Sequence, residues 1–194
     1  MDFLDGDPSV RINEVKKALI AAPKLGTNVV TTWGGFKQPN MDIESARQQI
    51  TGMLAQVMPT AVDNNVYLAI EMYDLCVIGT PKEIVDAIKA LKTNNLKIVM
   101  DPPNVFKESD LDRIPEAIDE IVDSAEGNII LAHAKDMLFK NGNRELPHAG
   151  GGQMHYPTYL QALKRVGYDG FLVIEHVSSE TIESARDHVL SALT

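Results

Sequence analysis

Four short apolar runs, each closed by a polar side chain, decide the fold: VYLAIE at 66–71, LKIVMD at 96–101, NIILAH at 128–133 and GFLVIE at 170–175. Continuous apolar runs of this length, rich in Val and Ile, are the pattern of strands buried on both faces, as in parallel sheets. Their closing residues, Glu71, Asp101, His133 and Glu175, are separated by 30, 32 and 42 residues. One strand, one helix and two loops take about that length. A fifth run at 28–33 ends in Trp33.

Between these runs the spacing of apolar residues turns helical. It predicts helices at 9–23, 42–63, 81–93, 110–125, 156–166 and 179–193, and strands at 28–33, 66–71, 97–101, 129–134 and 171–175. Thr80-Pro81 with Glu83 three residues after the threonine reads as a capping box with proline at the first helical position. Ser109 and Ser179 read as further N-caps, and Gly26 and Gly167 as helix stops.

Strand–helix alternation argues parallel strands joined by right-handed crossovers. No GxGxxG or GxxxxGK[ST] follows the first strand, and polar residues close four successive strands rather than gathering at one switch point. That favours a (β/α) barrel, whose functional groups lie at the C-terminal ends of its strands. Eight strands and about 250 residues make a full barrel, whereas this chain has 194 residues and five strand signals. The expectation is one partial (β/α)-barrel domain over 1–194, an α/β fold of TIM-barrel type, incomplete. A sheet of five parallel strands has two edges to cover, so self-association as a homo-oligomer is expected.

Asp and Glu number 27 against 18 Lys and Arg, a net charge of −9. That balance argues against a nucleic-acid binder, which carries a basic face. No apolar run approaches the roughly 18 residues of a membrane span, and MDFLDGDPSV is acidic and lacks the basic start and apolar stretch of a signal peptide; a cytoplasmic protein is expected. Cys76 is the single cysteine and reads as a packing residue.

Acids or imidazoles at the same end of successive parallel strands converge. Three carboxylates at one point repel one another unless a cation joins them. Glu71, Asp101, His133 and Glu175 are therefore candidate ligands of one divalent metal. Carboxylate oxygens with one imidazole suit Mn2+ or Mg2+ first, Zn2+ or Co2+ next.

At these residues the sequence resembles the xylose isomerase-like TIM barrel family, the sugar phosphate isomerases and epimerases. The matching stretches are LAIEMYD, IVMDPPNVF, LAHAKDM, HAGGGQMHYPTYLQAL and GYDGFLVIEH, with RINEVKKALIAAPKLGTNVV resembling the helix before the family's fourth strand. The resemblance implies that the chain holds about strands four to eight of the barrel, and that Glu71, Asp101, His133 and Glu175 bind manganese or magnesium. The sequence departs from the epimerase pattern at Asn104, where many epimerases have histidine. It departs again at Phe139, near the place of an expected arginine, with Arg144 the nearest one, and at His155, where the family often has aspartate.

The chemistry expected is proton transfer through an enediolate on a ketose or related polyol ketone. Glu71 and Glu175 are the candidate proton carriers on opposite faces of the substrate. Return of the proton to the same carbon epimerises it, and return to the adjacent carbon interconverts aldose and ketose. Expulsion of hydroxide gives inosose-type dehydration, the first alternative; a non-catalytic sugar-binding or truncated homologue is the second. Alternation along the strand puts Lys135 on the side of His133, where it binds a substrate oxygen or forms a salt bridge. Asp136 orients His133 or Lys135, or caps the next segment. Asn104 binds a sugar hydroxyl or completes a turn, and His148 is a further candidate substrate contact. Trp33 is a wall against the sugar or a packing residue. The Gly150–Gly152 run presents backbone amides to a ligand or is a plain turn. The tyrosines of YPTYLQAL are core.

Overall fold

The computed structural model describes residues 2–193 and divides into two compact units, Met1–Val99 and Met100–Thr194. The first alternates α1 (Pro8–Ala21), β1 (Val29–Trp33), α2 (Ile43–Asp63), β2 (Tyr67–Glu71), α3 (Pro81–Leu91) and β3 (Leu96–Met100). β2 pairs in parallel with β1 and with β3, and Trp33 stands opposite Glu71 in register. Leu68, Ala69 and Ile70 are fully buried, as a strand covered on both faces requires.

Local chemistry explains these boundaries. Asp7 caps α1 through the Ser9 amide, with Pro8 opening the helix. The Thr80–Glu83 capping box forms as the sequence predicts. Glu83 also accepts from the Gly79 amide at 3.1 Å and pairs with Arg47 at 3.0 Å, tying α3 to α2. The segments after β1 and β2 lie against each other: Val77 and Ile78 donate to the carbonyls of Gly35 and Gly34 at 2.7 and 3.0 Å. A Cβ at Gly34 would sit 1.8 Å from the Ile78 oxygen, so only glycine permits this approach.

The second unit holds α4 (Ile114–Asp123), β4 (Ile129–Ala134), β5 (Leu138–Lys140), β6 (Asn143–Glu145), α5 (Tyr156–Arg165), β7 (Leu172–Ile174) and α6 (Ile182–Ser191), with 3-10 turns at Pro102–Asn104 and Glu108–Arg113. β4 and β7 pair in parallel, with His133 opposite Val173. Together the units give an α/β fold with five parallel strands flanked by helices, of (β/α)-barrel type and incomplete.

Three details differ from the sequence reading. The helix expected from 110 begins at Ile114, because Pro115 fits the α-helix only in its first turn; Ser109 is inside the preceding 3-10 turn and is no cap. The helix expected from 179 begins at Ile182, and the turn before it is closed by Ser178 and Thr181, not Ser179. The antiparallel hairpin β5–β6 is an addition. Asn141 and Gly142 at its tip have φ of 52° and 77°, the paired left-handed residues of a tight hairpin turn.

Candidate metal centre

In the second unit the chain direction alone brings three of the predicted ligands together. Asp101 directly follows β3, His133 lies near the end of β4, and Glu175 follows β7, its amide donating to the Ala134 carbonyl at 3.0 Å. His133 Nδ1 is 3.2 Å from Asp101 Oδ2 and 3.1 Å from Glu175 Oε2. Lys135, two residues on and so on the same side of the chain, places Nζ 2.6 Å from Asp101 Oδ2 and 3.2 Å from Glu175 Oε2. Asn104 Nδ2 also donates to Asp101 Oδ2, at 2.9 Å.

The electrostatics follow from burial and these contacts. Burial opposes a charge on His133, yet the Asp101 and Glu175 carboxylates outweigh it and raise the imidazole to about 9. Burial also works against the Glu175 carboxylate, and the contacts with His133 and Lys135 reverse it, holding Glu175 at about 2. Asp101 and Glu175 thus each face both the His133 imidazole and the Lys135 ammonium. Beside the three predicted ligands, Lys135 supplies a buried ammonium that the sequence reading had not placed against Asp101.

The donor set nonetheless fits a divalent metal. Asp101 Oδ1 is buried and has no hydrogen-bond partner among the described residues. An unsatisfied buried carboxylate oxygen is costly, and beside an imidazole and a second carboxylate it is one of the donors a cation would take. Asp101, His133 and Glu175 are a group able to hold one.

Two tyrosines hold the strands beneath the cluster. Tyr159 Oη lies 3.2 Å from the carbonyls of both Met100 and His133, and Tyr156 Oη donates to the Lys135 carbonyl at 2.9 Å. Both are core residues, as expected, and burial raises both phenols. Their anchoring of the backbone at Met100, His133 and Lys135 was not legible in sequence.

Asp136 turns to the loop that follows. Its carboxylate accepts from the amides of Met137, Gly150 and Met154 at 3.0, 3.0 and 2.6 Å. The Gly150–Gly152 run is packed on it: a Cβ at Gly152 would lie 2.6 Å from Asp136 Oδ1 and 2.3 Å from the Met137 oxygen. The Gly150 and Gly151 amides are both taken by the protein. His148 forms an antiparallel bridge with Lys135, which places it beside the cluster's strand. His155 caps α5 through Thr158. Arg144, in the hairpin opposite Phe139, donates to the Phe106 carbonyl at 2.8 Å.

In the first unit Glu71 closes β2 and is partly exposed. Trp33 packs against Phe36 and Tyr73 with ring centroids 5.5 Å away in each case. Cys76 is fully buried, and burial raises its thiol to about 12, consistent with packing.

The profile of the xylose isomerase-like TIM barrel family matches residues 1–192. The chain belongs to this family. Similar solved structures include a xylose isomerase domain protein from Planctomyces limnophilus, 18% identical with a TM-score of 0.75 over 95% of this chain and 65% of that one. A D-tagatose 3-epimerase-like protein is 21% identical, with a TM-score of 0.79 over 95% of this chain and 69% of that one. A xylose isomerase-like TIM barrel protein from Mycobacterium smegmatis, solved in complex with magnesium, is 19% identical, with a TM-score of 0.73 over 100% of this chain and 71% of that one. The chain thus spans about two thirds of these structures' lengths, just under it for the first. No curated protein matches the sequence significantly. Among the described residues no helix is long and apolar enough to cross a membrane.

Within the xylose isomerase-like family, the departures noted in the sequence acquire local roles here. Asn104 is directed at the Asp101 carboxylate. His155 supplies a helix cap, a task aspartate also performs well.

Proposed function

We propose that this chain carries the metal-binding and proton-transfer groups of a sugar isomerase or epimerase, with β1 to β4 and β7 standing as strands four to eight of the family's barrel. The observation that carries this reading is the cluster of Asp101, His133 and Glu175 with its unsatisfied Asp101 oxygen. Asp101, His133 and Glu175, together with Glu71 at the corresponding end of β2, are the proposed ligands of one divalent ion, manganese or magnesium. When bound, such an ion supplies Lewis acidity toward a substrate carbonyl.

The chain's own residues divide by exposure. Asp101 and His133 side chains are 0% and 7% exposed, whereas Glu175 is 28% exposed. Glu71 is likewise partly exposed. Groups that exchange protons with a substrate must reach it, so the two glutamates are the proposed acid and base, and Asp101 and His133 hold the ion. Deprotonation next to a carbonyl by one carboxylate and reprotonation by the other inverts that carbon. Lys135 and Asn104 are the proposed polar contacts to the sugar, with Trp33 as an apolar wall and His148 at the rim. Asp136 serves by holding the loop. Exposed Phe171 and Val173 at β7 support self-association through that strand, which light scattering would register as a mass above that of one chain.

The ion pairs of Lys135 with Asp101 and Glu175 favour one second reading, sugar binding without turnover. Deuterium exchange separates the two. The isomerase reading predicts manganese-dependent exchange of one carbon-bound hydrogen in a panel of ketoses and inososes, and its loss in Glu175→Gln. Metal-bound protein that exchanges nothing across the panel refutes catalysis; loss of water from an inosose reassigns it to dehydration.

A further inference from the structure

Two carboxylate oxygens of the cluster are crowded. Asp101 Oδ2 faces Lys135 Nζ at 2.6 Å, Asn104 Nδ2 at 2.9 Å and His133 Nδ1 at 3.2 Å. Glu175 Oε2 faces His133 Nδ1 at 3.1 Å and Lys135 Nζ at 3.2 Å. The Lys135 side chain is 3% exposed, so its ammonium is a charge committed to this spot and little screened by water.

We propose that Lys135 is the resident cation of the centre, that a divalent metal enters by displacing its ammonium from Asp101 and Glu175, and that Lys135 thereby sets how tightly the chain holds metal. The inference rests on the metal-binding reading above. A dication drawing on Asp101, Glu175 and His133 would stand close to the ammonium, which already occupies Glu175 Oε2 and the second oxygen of Asp101, and the repulsion is strong in a buried site. The two cations therefore alternate.

The Lys135 backbone is fixed by Tyr156 Oη at 2.9 Å and by its bridge to His148, so the strand stays in place. The flexible four-carbon stem is what moves. A displaced ammonium no longer neutralises the carboxylates and is available to a substrate oxygen. Lys135 is thus an affinity-determining residue first and a substrate contact second.

The test is calorimetric titration of manganese chloride into the EDTA-treated 194-residue chain, for the natural sequence and for Lys135→Gln, Lys135→Met and Lys135→Arg. The neutral variants are expected to bind manganese about tenfold or more tightly than the natural chain, since a buried repulsive charge is gone; Lys135→Arg, which keeps the charge, is expected not to gain. Lys135→Gln retains a hydrogen-bond donor to Asp101 and serves where Lys135→Met does not fold. Equal or weaker affinity in Lys135→Gln, with binding by the natural chain intact, overturns the inference and leaves the metal site standing. Absence of binding in every variant and in the natural chain overturns both.

Discussion

Lys135 Nζ and Asp101 Oδ2 meet at 2.6 Å with side-chain exposures of 3% and 0%. An ion pair at this depth is costly to break from one side, because the surviving charge keeps its desolvation penalty without its partner. Asp101→Ala should cost about 3–5 kcal/mol in metal-free protein, read as a lowered urea midpoint in EDTA. The double variant Asp101→Asn/Lys135→Gln should lose less than the sum of its single changes, since neither charge is left alone. Additive losses would show that the pair is not coupled.

The pH dependence of metal-free stability has two limbs. His133 has its folded value raised to about 9, so its contribution is full below the ordinary imidazole value of about 6.5 and is lost as pH rises through 9. Glu175 is lowered to about 2, so its contribution is full above the ordinary value of about 4.3 and is lost as pH falls toward 2. Stability from this pair should peak between those ordinary values. Denaturation midpoints across pH check it: His133→Gln should flatten the alkaline limb, and an unchanged limb would assign it elsewhere.

Tyr159 Oη reaches the carbonyls of Met100 and His133 from a fully buried ring. Tyr159→Phe keeps the packing and removes the hydroxyl, leaving buried carbonyls less satisfied. The expected cost is about 1–2 kcal/mol, measured by thermal or chemical denaturation. A neutral result would mean that the hydroxyl does not hold these strands.

Two glycines should respond oppositely to alanine. At Gly152 the added carbon meets the Met137 oxygen and the Asp136 carboxylate, and the strain should cost about 1–3 kcal/mol. At Gly52, inside α2, nothing lies within 4 Å of the added carbon, and the gain in helix propensity should be about 0.5–1 kcal/mol. Melting temperatures of Gly152→Ala and Gly52→Ala test both signs.

Legibility in the sequence tracked the range of the interactions. Strands ending near Glu71, Asp101, His133 and Glu175 were readable because burial on both faces writes itself as a continuous apolar run. Alternation also put Lys135 on the side of His133. It did not show that Lys135 pairs with Asp101, a neighbour created by the fold rather than by chain proximity. The sequence reading grouped the carboxylates with His133 and did not include the Lys135 ammonium among their partners. Tyr159 illustrates the same limit: helical spacing marks its ring as core and says nothing of where the hydroxyl goes. The hairpin from Leu138 to Glu145 has strands of three residues each, too short for a periodicity signal, although Asn141-Gly142 was a usable turn signature.

The central claim is that Asp101, His133 and Glu175 belong to a divalent-metal site. Titration of manganese into EDTA-treated chain, with Asp101→Ala and His133→Ala alongside, addresses it most directly. The account predicts saturable binding of one ion per chain that either substitution abolishes. Binding that survives both substitutions, or no saturable binding at all in the natural chain, would contradict it.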